Sequence, residues 1–328
     1  MMLTTIIHCT DSHVSASTPD RPSPRRWRRG TYEDDVMAKL DWVTQRAVQL
    51  QKANEGTVLV WHTGDIFDRA VEPLRVTLRV ADWARQLGDY NIPLLGTLGQ
   101  HDIRAYNLAS AVECSVGVLY RLGDDAPHLM TGVQGENGRY NDVTCASLHV
   151  GADNLLTTDD PEILHGVDVV GTHLSIHHNS FGCVHTRDIH WPVKLVLCAH
   201  IHAGMPIAQY NGTTYSAPGA LVRLNADEVE RQPQISIIRI DEKTGEVASI
   251  EYETVPHKKA VDVFDLQAMD ESAIVEQQRT EFRQAIDTVQ QQQAAVGDWR
   301  TQVENARTQV GDDVTARLTT YCEKAEGQ

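Results

Sequence analysis

Apolar runs of strand length recur along the first two thirds of the chain with helical patterns between them, and this alternation narrows the fold more than any other feature. Leu3–Cys9, Thr57–His62, Ile92–Leu98, Val143–Val150, Val167–Gly171 and Lys194–Cys198 have the length and apolar continuity of buried strands. Tyr32–Lys52 and Glu72–Leu87 carry helical periodicity. Strands and helices in that order predict an α/β layered fold with a buried sheet. After Ile207 the pattern changes to hairpins, with Asn211-Gly212 as one turn and Glu242–Gly245 as another.

From about Asp270 the aromatic strand formers nearly vanish, and Val275, Phe282, Ile286 and Val289 recur at helical spacing. Gly297-Asp298 reads as a helix stop and N-cap before Trp299, Val303, Ala306 and Val310. Gly311-Asp312 repeats the punctuation before Val314, Leu318 and Tyr321. Three amphipathic helices are predicted, whose apolar stripes suit packing on the body and binding a partner equally. With 328 residues and 41% apolar content, one large domain plus an appendage is expected.

The apolar start is too short and uncharged for a secretory signal, and no later run could cross a bilayer. A cytoplasmic protein without a membrane partner is expected. The cysteines Cys9, Cys114, Cys145, Cys183, Cys198 and Cys322 show no C-x-x-C spacing, so neither a disulfide framework nor a zinc ribbon is expected. A net charge of −16 argues against a protein that coats nucleic acid. It weighs less against a nuclease, in which bound cations invert the field of a carboxylate-rich site.

Five polar motifs fall at or just beyond predicted strand ends: Asp11-Ser12-His13, Gly64-Asp65, Gly99-Gln100-His101-Asp102, Gly171-Thr172-His173 and Ala199-His200-Ile201-His202. Loops beyond the carboxyl ends of strands converge in open α/β sheets, so dispersed motifs can form one site there. Each motif alone is an ordinary turn or polar face; their order and shared position make them a site. Two carboxylates, four imidazoles and one amide suit a pair of divalent cations about 3.5–4 Å apart, bridged by a carboxylate. Such a pair serves phosphate ester hydrolysis.

The order D-x-H, G-D-x-F-D, G-x-H-D, G-T-H and x-H-x-H over about residues 1–225 resembles the calcineurin-like metallophosphoesterase superfamily. That resemblance implies a layered β-sandwich flanked by helices. Gly64-Asp65-Ile66-Phe67-Asp68-Arg69 with Glu72-Pro73, and Pro218-Gly219-Ala220 followed by Arg223 and Glu228, are similar to elements of the SbcD family of DNA-repair exonucleases. By that resemblance Asp11, His13, Asp65 and His202 hold one metal, and Asp65, Gln100, His173 and His200 the other. His101 faces the scissile phosphate and stabilises or protonates the leaving oxygen, with Asp102 fixing its ring. The family has Asn where Gln100 stands and Gly where Ala199 stands; neither change removes a ligand type.

The resemblance further implies two Mn²⁺ ions, DNA as substrate, an SbcC-type coiled-coil ATPase as partner, a homodimer and a nucleoid-associated location. Residues 1–265 then form the nuclease domain and 266–328 a helical tail, with the capping domain reduced or absent, as in a compact phage-like member. Arg21, Arg25, Arg26, Trp27, Arg28 and Arg29 form a loop suited to clamping a nucleic-acid backbone. His177, His178, His185 and His190 lie in a long polar loop and are expected to face solvent. A phosphoesterase for small molecules or phosphoproteins, and a non-catalytic scaffold of the same fold, are the competing expectations.

Overall fold

The computed structural model describes residues 2–16, 32–53, 56–121, 137–140, 142–224, 228–268, 271, 277–284, 286 and 299–326. The arginine loop, including Arg21, Arg25, Arg26, Trp27, Arg28 and Arg29, lies outside them, as do Val275, Val289 and Gly297-Asp298. The chain divides into two units, Met1–Phe264 and Asp265–Gln328.

In the first unit β1 (Leu3–Cys9) buries every residue after Leu3, and its neighbouring Ile6 and Ile7 belong to different cores. A strand with both faces apolar needs a layer on each side. One sheet has the order β11 (Val247–Thr254), β10 (Gln234–Asp241), β1, β2 (Thr57–His62), β3 (Leu94–Gly96). β1, β2 and β3 run parallel, which requires crossovers, and α1 (Tyr32–Lys52) and α2 (Leu74–Asp89) lie in them. The other sheet has the order β4 (Asn137–Tyr140), β5 (Val143–Leu148), β6 (Val169–Thr172), β7 (Leu195–Cys198), β9 (Thr213–Ala217), β8 (Met205–Tyr210). Ile6, Trp61, Leu95 and Ile238 of the first sheet share a core with Cys145, Val169 and Leu197 of the second, which makes a β-sandwich. Ile7, Val60 and Ile237 pack on the opposite face with Val36, Leu40, Val80 and Trp83 of α1 and α2.

Predicted and observed elements differ mainly at their ends. Ile92–Leu98 contracts to β3 at its end because Thr97 N–H makes the last bond to β2, at the His62 carbonyl, and Leu98 N–H turns to His149 Nδ1. The second helix starts at Leu74 because Pro73 holds an extended cap and Glu72 N–H donates to Ser115 Oγ. The short helix α3 (Ser115–Arg121) was not expected from the sequence. Asn211 and Gly212 turn the β8–β9 hairpin with φ of 54° and 84°, a pair of left-handed conformations that Asn-Gly adopts at little cost. A further short helix, α4 (Ala260–Val263), closes the first unit.

In the second unit α5 (Trp299–Val310) and α6 (Asp312–Glu326) meet at Gly311, whose φ of 81° ends the first helix. Val303 and Leu318 are buried between them, with Phe282, Ile286, Val310 and Val314 packed alongside. Asp312 and Asp313 sit in the first turn of α6, where the helix dipole favours acidic side chains. Among the described residues no helix is long and apolar enough to cross a membrane.

Candidate metal centre

Parallel registers bring the motif loops together. Cys9 pairs with His62 and His62 with Gly96 in one sheet; Leu148 pairs with Thr172 and Thr172 with Cys198 in the other. Beyond β1 and β2 the loops continue to zip, through Thr63 N–H to Cys9 O, Asp11 N–H to Gly64 O and His13 N–H to Asp65 O. To make these bonds while aiming inward, Asp11, His13 and Asp65 take φ of 49°, 45° and 52°, and His200 takes 72°. Left-handed backbone costs a non-glycine residue on the order of 1 kcal/mol, and such strain gathers where side-chain aim matters. Two glycines are dictated by closeness. A β-carbon on Gly64 would stand 2.3 Å from His173 Nδ1, and one on Gly99 would stand 2.1 Å from Asp65 Oδ1.

Asp11 and Asp65 are fully buried, and each has one oxygen in a hydrogen bond and one without a partner. Thr10 Oγ1 and His200 N–H donate to Asp11 Oδ2, and His101 N–H donates to Asp65 Oδ1. The free oxygens face imidazoles: Asp65 Oδ2 is 3.2 Å from His173 Nε2 and 3.9 Å from His13 Nε2, and Asp11 Oδ1 is 3.8 Å from His173 Nε2 and 3.7 Å from His202 Nε2. Buried acceptors without donors are costly unless a cation satisfies them, so the donor set fits bound metal. Among the described residues three groupings have all their ligand atoms within 4.8 Å of one another: Asp11–His13–His202, Asp11–Asp65–His173, and His13–Asp68–His101. Asp11 belongs to two of these groupings and Asp65 to one.

His200 and Gln100 border this cluster as a pair, since the Gln100 amide nitrogen is 3.1 Å from His200 Nδ1 while Gln100 Oε1 is buried without a hydrogen bond. His200 belongs to none of the three tight groupings. The longer glutamine side chain reaches the site, with its amide turned toward the histidine.

Two of the imidazoles, those of His173 and His202, are aimed by an acceptor behind them. His173 Nδ1 donates to Thr63 O, which turns Nε2 toward the carboxylates, and His202 Nδ1 contacts Glu228 Oε1 at 2.9 Å. Glu228 is fixed by Leu224 N–H in turn. Glu228 and Asp68 both stand inside motifs read from the sequence, which gave neither this part; the Asp68 carboxylate lies 3.6 Å from His13 Nδ1. Outer carboxylates of this kind set tautomer and ligand basicity. Glu228→Gln is expected to weaken metal binding about 10–100-fold, a range seen for such partners, with a matching rise in the metal concentration needed for half-maximal activity. Unchanged affinity in a metal titration would remove Glu228 from the centre.

The expected role of Asp102 is corrected. His101 Nδ1 donates to the backbone carbonyl of Asp68, at 2.9 Å, whereas the Asp102 carboxylate accepts the backbone N–H groups of Asp65, Gly99 and Phe67. The Asp102 carboxylate is thus taken up by three amides of the second and third motifs while the ring next to it bonds elsewhere. Asp102 positions backbone, and the Asp68 carbonyl sets the His101 tautomer. Burial, reinforced by the Asp65 charge, pushes Asp102 up to about 7 against the pull of its backbone donors.

Burial favours neutral forms at the centre, but the opposite charges there outweigh it. Asp65 is held below the ordinary carboxylate range by His173, and His173 is carried up to about 10 by Asp65 and Asp11. A cation competing for those oxygens must displace that proton. Beneath the site, His8 contacts Thr63 Oγ1 and His62 contacts Ser12 Oγ, both at 2.8 Å. Burial first, and neighbouring histidines second for His8, lower His8 to about 3; burial likewise lowers His62 to about 4.

For both rings the folded pKa lies below the unfolded value near 6.5, so the unfolded chain binds more protons between these limits and stability falls as pH drops below 6.5. At pH 5 each ring costs up to about 2 kcal/mol relative to neutral pH. His8→Gln is expected to recover most of one such increment, measured as the difference in denaturant unfolding free energy between pH 7 and pH 5 with metal chelated. The same acid loss in variant and parent would contradict this.

Residues 4–204 match the sequence profile of the calcineurin-like phosphoesterases. A curated relative, the DNA double-strand break repair protein Mre11 of Aeropyrum pernix, is 32% identical over 125 residues, 36% of this chain and 27% of the relative. The chain thus matches about a quarter of that protein's length. Solved structures with a similar fold include a dimetal phosphatase of Danio rerio, with TM-score 0.46 and 13% identity over 77% of this chain and 99% of that one. Another is a 5′-nucleotidase precursor of Thermus thermophilus, with TM-score 0.41 and 13% identity over 86% of this chain and 60% of that one. With the profile spanning more than half of the sequence, the chain belongs to the calcineurin-like phosphoesterase family.

Proposed function

We propose that this chain is a two-metal phosphodiester hydrolase that acts on DNA ends, as an exonuclease with endonuclease activity, in repair or recombination. The observation that carries the hydrolase reading is the meeting, from separate strand ends, of buried atoms that make no hydrogen bond, Asp11 Oδ1, Asp65 Oδ2 and His173 Nε2. Asp11, His13 and His202 would hold one cation, and Asp65, His173, His200 and Gln100 the other, with Asp65 and Asp11 between them. When bound, the pair supplies an activated water and positive charge for the phosphoryl oxygens. The protein's own part is alignment: strained loops fix the carboxylates, carbonyls fix the tautomers, and His101 stands beside the cluster with its ring 5.0 Å from that of His13.

DNA is favoured over other phosphoesters by the match to a double-strand break repair protein and by the elements around Gly64 and Pro218. Mn²⁺ is the proposed ion, on the same resemblance. The nuclease domain would be residues 1–265, and the tail, residues 266–328, would engage an SbcC-type ATPase through its helices. Leu74 and Leu78, one turn apart on α2, are exposed apolar side chains that suit a homodimer contact. Purified protein with Mn²⁺ is expected to shorten linear DNA while turning over phosphopeptides and cyclic nucleotides far more slowly. Preference for either small substrate would replace the nuclease reading with that of a small-molecule or phosphoprotein phosphoesterase.

A further inference from the structure

The segment that leaves the third motif makes a turn its residues do not suit. Arg104 and Asn107 face each other as an isolated antiparallel bridge, and Asn107 N–H donates to Arg104 O at 2.9 Å, so Ala105 and Tyr106 are the central residues of a two-residue hairpin. Both are left-handed, with φ of 48° and 57°. Asn-Gly is the usual occupant of such a turn, as at Asn211-Gly212, whereas positive φ is uncommon for alanine and a clear outlier for a residue as bulky as tyrosine.

The strained pair is held from both sides. Before it, Asp102 is buried on the amides of Asp65, Gly99 and Phe67, and Ile103 is buried in the core. After it, Ser110 Oγ accepts the Arg104 N–H and donates to Asn107 O, while Asn107 Oδ1 accepts the Ala109 N–H. Strain over-determined in this way gathers where the place of a side chain matters. The fold itself makes no use of Tyr106: it is 67% exposed, and among the described residues its hydroxyl has no hydrogen-bond partner and its ring no aromatic neighbour. Four residues of chain carry it at most about 14 Å from Asp102, which bonds the Asp65 amide at the metal centre. A rigid, exposed ring at that range suits the flat face of a nucleobase, and in a chain of net charge −16 stacking is a contact with nucleic acid that needs no phosphate neutralisation.

We propose that Tyr106 is a base-stacking residue, held out by the Arg104–Asn107 turn to take one unpaired nucleobase of a strand whose phosphate lies at the metal centre. This rests on the nuclease reading and gives that site a specificity for substrates that carry a base.

The test is fluorescence-anisotropy titration of the full chain, with Ca²⁺ in place of Mn²⁺, against a single-stranded oligonucleotide and against the same strand made abasic at one position at a time. Tyr106→Ala is expected to weaken binding of the intact strand about 5- to 100-fold, and Tyr106→Trp to retain it. In the parent one abasic position should weaken binding by a similar factor, and in Tyr106→Ala the same position should have no further effect, a coupling that a merely structural turn would not produce. The double variant Ala105→Asn, Tyr106→Gly is expected to melt at a higher temperature and yet to bind as weakly as Tyr106→Ala. Parental affinity in Tyr106→Ala or in the double variant, an abasic effect undiminished in Tyr106→Ala, or failure of the parent to bind the strand would overturn the proposal. Binding with the expected abasic pattern but no cleavage once Mn²⁺ is supplied would count against the nuclease reading alone.

Discussion

Asp65→Asn is expected to lower turnover at least about 1000-fold and to reduce bound metal from two ions to one or none, as counted by elemental analysis of dialysed protein. The substitution is nearly isosteric, and the amide oxygen can still accept the His101 N–H that now bonds Asp65 Oδ1. What changes is the other atom. Asp65 Oδ2, buried without a hydrogen bond and 3.2 Å from His173 Nε2, becomes an NH₂ group that points its protons at the place where cations are proposed to bind. One negative charge is lost as well, and with it part of what draws a divalent ion into a buried site. The loop should survive, because Asp102 still holds the Asp65, Gly99 and Phe67 amides. A variant with two ions and ordinary turnover would show that Asp65 is not a ligand.

Much of this arrangement was legible in the sequence because the physics that sets it is local. The runs Leu3–Cys9 and Thr57–His62 and the helix Tyr32–Lys52 have the predicted bounds, since the burial each needs is written in the sequence as apolar continuity or helical periodicity. The motif residues converge for a related reason: parallel strands in register expose their carboxyl ends along one edge. What escaped was anything set by a contact distant in sequence. His202 is aimed by Glu228 and His101 by the Asp68 carbonyl, 33 residues away; no spacing rule predicts either. The family resemblance gave Asp102 the task of fixing the His101 ring, whereas here its carboxylate turns back onto backbone amides.

His101 offers the sharpest separation of chemistry from metal binding. His101→Gln is expected to reduce turnover on DNA about 100–10,000-fold, the usual contribution of a positioned acid or base, while both ions stay bound. Its backbone N–H, the group that bonds Asp65, is unaffected by the change, and its ring is held by the Asp68 carbonyl through Nδ1, which leaves Nε2 as the nitrogen available to a substrate. If that nitrogen gives a proton to the departing sugar oxygen, the need for it depends on how poor the leaving group is. A p-nitrophenolate ion departs without a proton, so the loss on a p-nitrophenyl diester should shrink to about tenfold or less. An equal loss on both substrates would make His101 a stabiliser of the phosphoryl oxygens, not the acid. Loss of an ion would instead make it a ligand, as its place beside His13 and Asp68 in the third tight grouping would then require.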